Sequence, residues 1–148
     1  MWRATPLVLA TVLVAGCGNG GSSDQRLTRE QYAKKADAIC TKYKHKTDAL
    51  SRPATLSDLA DLASQVLPFL RAARGELRAL PPPQNEEATA NAWLDQFDVI
   101  IDDVTNIRDK AKQKDSAGVQ AAAAPALKHN QRANDLAAQL GMTVCSKD

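Results

Sequence analysis

Between Glu86 and Lys112 the apolar residues Trp93, Phe97, Ile100, Ile101, Val104, Ile107 and Ala111 recur at helical spacing. A strand would put them on alternating faces, whereas a helix of 3.6 residues per turn gathers them on one. This segment therefore has to be an amphipathic helix that buries one face against partners. Asn85 is placed to cap it, and Glu86 and Glu87 put negative charge at the positive end of the helix dipole. Only 4% of the residues are aromatic, so the core it builds has to be largely aliphatic.

Three further segments carry the same period. The first runs from about Arg29 to Ser51, with Thr28 and Gln31 spaced as a capping box. Its inner face is Tyr32, Ala36, Ile39, Cys40, Tyr43 and Leu50, and lysines fill the remainder. The second runs from about Leu56 to Leu80, capped by Thr55 with Asp58 three residues on. Its apolar stripe reads Leu59, Leu62, Val66, Phe69, Leu70, Ala73, Leu77 and Leu80. Pro81-Pro82-Pro83 stops it and stiffens the connection. The fourth runs from about Ala117 to Leu140, capped by Asp115 or Ser116 and ended by Gly141. Its inner face of Val119, Ala122, Ala126, Ala133, Leu136 and Leu140 is mostly small. Pro68 and Pro125 interrupt the ladders of the second and fourth segments and predict a kink in each, with Pro125 alternatively dividing its helix. Short connections make consecutive helices antiparallel. The expected fold is all-α, an up-down-up-down four-helix bundle with kinked second and fourth helices and one disulfide.

Residues 1–16 contain one charge, Arg3, and an apolar run from Ala4 to Ala15 that is too short to span a bilayer. Val14-Ala15-Gly16 stands directly before Cys17, and this arrangement resembles the lipobox of bacterial lipoproteins. The resemblance implies that residues 1–16 are a cleaved lipoprotein signal peptide and that Cys17 carries the lipid. Residues 17–27 then form the lipidated N-terminus and a tether, for which Gly18 to Asp24 has the composition of a flexible linker. Residues 28–148 form the four-helix domain. With Leu27-Thr28-Arg29-Glu30-Gln31-Tyr32, Ala36-Asp37-Ala38-Ile39-Cys40, Leu80-Pro81-Pro82-Pro83 and the ending Leu140-Gly141…Cys145, the chain looks like small uncharacterised lipoproteins of actinobacteria. That likeness implies location and architecture and brings no catalytic residues. The expected place is the cell membrane, lipid-anchored, on the extracytoplasmic face.

Once Cys17 is set aside on this resemblance, Cys40 and Cys145 remain as an even pair. An oxidising compartment would join them, and a bundle whose fourth helix ends beside the start of the first lets the tail reach Cys40. Two distant cysteines lack the paired spacing of zinc ligands. Removing Arg3 with the leader leaves 18 basic against 17 acidic residues, a balance unlike that of nucleic-acid binders.

Candidate chemistry is sparse. No Glu-x-x-His motif of a di-iron bundle occurs, nor a Gly-x-Ser-x-Gly elbow. His45 falls on the lysine-rich face. His129 shares a face with Ala133, Leu136 and Leu140 and reads either as a core-edge histidine or as a ligand to haem or metal. Asp95, Asp98, Asp102 and Asp109 form a line on the third helix, either a solvated face or an interaction face for a basic partner or a divalent cation. The expected function is a non-catalytic interaction or scaffold module of the cell envelope, without cofactor, metal or nucleic acid. The alternative is a carrier for an apolar ligand or haem held between kinked helices, with Tyr32, Tyr43 and His129 as polar contacts. The partners are the bilayer through acylated Cys17 and an envelope protein or apolar small molecule.

Overall fold

The computed structural model describes residues 26–147. The expected signal peptide over residues 1–16, Cys17 and the expected tether from Gly18 to Asp24 lie outside the described residues. Four α-helices make up the fold: α1 (Arg29–Asp48), α2 (Leu56–Arg78), α3 (Glu87–Lys112) and α4 (Ser116–Gln139). Among the described residues there is no strand, and no helix is long and apolar enough to cross a membrane.

Local chemistry sets most of the helix ends. Thr28 accepts from Gln31 N while Gln31 reaches back to the Thr28 N–H at 3.0 Å. Thr55 and Asp58 make the same reciprocal pair at the start of α2. Each pair satisfies two of the backbone donors that a helix start leaves open. Asp115 caps α4 through Gly118 N. At the far end Gly141 takes φ +82°, and the N–H of Met142 bonds to Ala137 O, a Schellman turn that needs a residue tolerant of left-handed backbone.

The start of α3 departs from the Asn85 cap. Pro83 opens a 3-10 turn over Gln84–Glu86, Glu86 N bonds back to Pro83 O, and α3 begins without a side-chain cap. Glu86 and Glu87 are instead held by two arginines, Glu86 by Arg29 at the start of α1 at 3.1 Å and Glu87 by Arg26, which precedes the helix, at 2.5 Å. α1 also stops at Asp48 and α2 at Arg78, short of Ser51 and Leu80. Both prolines sit exposed inside unbroken helices, so Pro125 does not divide α4.

α2 packs on α3 and α3 on α4 along their lengths, while α1 packs mainly on α2. The core gathers Tyr32, Leu77, Trp93 and Leu140, all 0% exposed, with alanines from every helix. Burying one such large apolar side chain contributes about 1.5–3 kcal/mol. On α2 the buried stripe is Ala60, Ala63, Leu67, Ala73 and Leu77. The bulkier Leu59, Leu62, Val66, Phe69, Leu70 and Leu80 stand half-exposed beside it, because small residues occupy the line where backbones come closest. Ala33, Ala90, Leu94 and Ala137 are buried as well, and so is one polar side chain, Gln96.

The tail after α4 turns back onto α1. Cys40 and Cys145 are joined, with Cα atoms 5.5 Å apart and a sequence separation of 105. Beside the disulfide, the Asp37 carboxylate accepts from the N–H groups of Thr143, Val144 and Cys145 and from the Thr143 hydroxyl, at 2.8–3.1 Å. Burial works against the charge on Asp37, but these four donors outweigh it and hold the carboxyl below its ordinary range. A depressed acid pKa contributes stability above the unfolded-state value, and that contribution is lost as pH falls through the folded one. Asp37→Asn should therefore cost about 1–2 kcal/mol at neutral pH. The difference from wild type should close below the ordinary aspartate pKa, as read by urea unfolding across pH.

Candidate functional site

Because α1 leans on α2 rather than on α4, the tail fills only part of the space between α1 and α4. Beyond Cys145 the space stays open as a cleft of about 310 Å³. Its floor is Trp93, Phe97 and Ile100 from α3, with Leu70 and Ala73 from α2. Tyr43, Lys44 and Thr47 of α1 form one wall, Asn130, Ala133 and Asn134 of α4 the other, and the disulfide closes one end. The size is at the lower end of ligand pockets, and the mix of apolar floor and a few polar rim groups is usual for them. On the α4 wall the one small residue is Ala133, between Asn130 and Asn134. A larger residue at Ala133, itself 4% exposed, would fill the cleft.

The floor is rigid. Trp93 is fully buried and meets Phe97 edge-to-face, with ring centroids 5.3 Å apart and planes at 88°. The Tyr43 wall is pinned from α2: its hydroxyl donates to Glu76 Oε1 at 2.7 Å, and Lys42 Nζ donates to the same oxygen at 2.6 Å. These two donors pull the Glu76 carboxyl below its ordinary range, and the bond to Glu76, followed by burial, raises Tyr43. Lys46 lies over the Tyr43 and Phe69 rings at 4.9 and 5.5 Å, within the range of cation–π attraction.

The three polar ligand contacts expected from sequence fall in different places. Tyr43 lines the cleft. Tyr32 does not: it is 0% exposed in the core, its hydroxyl has no hydrogen-bond partner among the described residues, and burial pushes its pKa up to about 12. An unpaired buried hydroxyl costs about 1–3 kcal/mol. Tyr32→Phe should leave stability unchanged or raise it by about 1 kcal/mol in thermal unfolding; a loss above that would reveal a partner for the hydroxyl. His129 is also outside the cleft lining. Its Nδ1 lies 2.8 Å from Asp103 Oδ2, a contact that ties α4 to α3. Among the described residues no group of three or more His, Cys, Asp or Glu side chains is placed to hold a metal ion.

The aspartate line is partly neutralised. Asp98 pairs with Arg74 of α2 at 2.5 Å, Asp95 with Arg78 at 4.0 Å, and Asp109 with its neighbour Arg108 at 2.7 Å. Asp102 is exposed. The line therefore runs along the α2–α3 seam and is bridged by arginines, and it is not a bare acidic face. Nothing in the local sequence singles out Asp103 or Gln96, and Glu76 lacks the histidine partner of a metal-binding motif. Glu76 and Asp103 gain their significance only from the packing register between helices.

Against known proteins, the chain matches no family model, no curated protein and no solved structure.

Proposed function

We propose that this protein is a membrane-anchored, extracytoplasmic lipoprotein that acts as a non-catalytic binding module of the cell envelope, with the α1–α4 cleft as its binding element. The observation that carries the binding reading is the cleft itself: an apolar floor inside a four-helix domain, polar groups only at the rim, and one end fixed by a disulfide. The anchor reading rests on the order of charge, apolar run, small residues and Cys17, and on the disulfide, which fits an oxidising compartment. An apolar small molecule is the occupant that the floor favours, so the carrier role gains over a scaffold role. The scaffold role is weakened by the arginines that already pair with Asp95 and Asp98. Haem is disfavoured as the occupant, since His129 is engaged with Asp103 away from the cleft. The up-down-up-down order follows from packing between successive helices through short connections, and Pro68 and Pro125 are the places where α2 and α4 would bend.

The anchor is tested by labelling with palmitate: incorporation into the wild type and none into Cys17→Ala, which should leave the membrane fraction. The cleft is tested with a fluorescent fatty acid. The wild type should bind it, and Ala133→Phe, which places a ring in the cleft, should bind about tenfold more weakly or worse, a difference of about 1.4 kcal/mol. Equal binding by both proteins, with helix content unchanged, would remove the cleft as the site.

A further inference from the structure

The charges of the domain are segregated. Residues 26–52, which contain α1, carry eight Lys and Arg against three Asp and Glu, whereas residues 53–147 carry ten against twelve. On α1 the side flanking the Tyr32, Ala36 and Tyr43 stripe presents Lys34, Lys35, Lys42, His45 and Lys46, all exposed. At 100° per residue these five fall within roughly a third of the helix circumference. The acidic residues that would balance them are mostly engaged elsewhere. Asp37 is committed to the tail and Asp48 to Lys44. Glu76 offsets Lys42, Lys46 rests on aromatic rings, and Lys34 and Lys35 make no ion pair among the described residues. Glu30 is the other carboxylate of the helix, in its first turn.

We infer that this face of α1 is a docking surface for an anionic lipid bilayer. Charge complementarity is the first support: lysines near a negatively charged membrane surface are attracted within about one Debye length. The second is the side of the domain on which the chain enters. α1 follows directly on the N-terminal segment, and the link from Cys17 to Arg26 reaches at most about 30 Å, close to the length of α1 itself. A domain on so short a leash meets the headgroups at high effective concentration. The third is the charge elsewhere: residues 53–147 carry no basic surplus that would compete for the same surface. With the basic surplus confined to this side, the domain orients with α1 along the bilayer. The leash rests on the lipoprotein reading; the charged face does not.

The test uses full-length protein purified from membranes and mixed with vesicles of phosphatidylcholine, with or without phosphatidylglycerol. Amine-reactive labelling is read residue by residue by mass spectrometry. Labelling of Lys34 and Lys35 should fall about fivefold when phosphatidylglycerol is included, the ratio expected for the attraction of one lysine. That of Lys128 on α4 should stay the same, and high salt should abolish the difference. Lys34→Gln/Lys35→Gln, two exposed changes, should lose the lipid-dependent protection of Lys46. Equal labelling of Lys34 and Lys35 on both vesicle types would overturn the inference, as would protection that follows an added acidic protein and not the lipid. A protein that leaves neutral vesicles lacks the anchor. In that case the same labelling on anionic vesicles still decides the role of α1.

Discussion

Breaking the Cys40–Cys145 bond should lower the unfolding free energy by about 4–5 kcal/mol, the largest single effect expected in this molecule. The bond closes a loop with 105 residues of separation. In the chain-entropy description a loop of that length restricts the unfolded ensemble by nearly 5 kcal/mol. A domain of this size is typically stable by about 5–15 kcal/mol, so the reduced protein should stand near its folding threshold. The native state should change less than the stability does. Asp37 still holds Thr143, Val144 and Cys145 by their backbone groups, and Gly141 still turns the chain toward α1. Urea unfolding of the oxidised protein and of Cys40→Ala/Cys145→Ala would show the shift, with the helical signal before the transition nearly the same. A loss below about 1 kcal/mol would mean that the tail contributes little to the unfolded-state restriction assumed here.

The second large effect is at the cleft floor. Trp93→Ala should cost about 3–5 kcal/mol, the range for removing a buried large aromatic. The edge-to-face pair with Phe97 adds about 0.5–1.5 kcal/mol of the kind that area alone does not give. Phe97 is half-buried, so Phe97→Ala should cost clearly less. The ranking is the informative part, and thermal unfolding of the two variants measures it. If Phe97→Ala proved the more damaging, the core would have its centre elsewhere. Trp93→Ala also enlarges the cleft, so a fluorescent fatty acid should still bind to whatever fraction remains folded.

How much of this was legible in the sequence depends on how local each feature is. Thr28–Gln31 and Thr55–Asp58 act over three residues, and both boxes form as their spacing predicts. Gly141 does the same for the end of α4. Asn85 fails as a cap for an equally local reason: Pro83 begins a 3-10 turn that consumes the residues a cap would need. On α2, Ala73 and Leu77 are buried as the stripe predicts, but toward its start hydrophobicity points to leucines, whereas the closest helix approach selects Ala60 and Ala63. The larger side chains then flank the seam. Asp103 with His129, Arg74 with Asp98, and Tyr43 with Glu76 depend on the rotation of one helix against another, which no single segment specifies. The Asp37 clasp had a faint signal, a carboxylate three positions before Cys40. Nothing marked the tail residues as its donors. The small face of α4 was visible, but the cleft beside Ala133 requires α1 to lean toward α2.

The most direct test of the account as a whole is native mass spectrometry of the protein extracted gently from its own host. The expected species is a chain that begins at Cys17, carries acyl groups there, retains one internal disulfide and holds a non-covalent apolar ligand that Ala133→Phe lacks. A chain that keeps residues 1–16 or has an unmodified Cys17, with no ligand bound to the wild type, would contradict it.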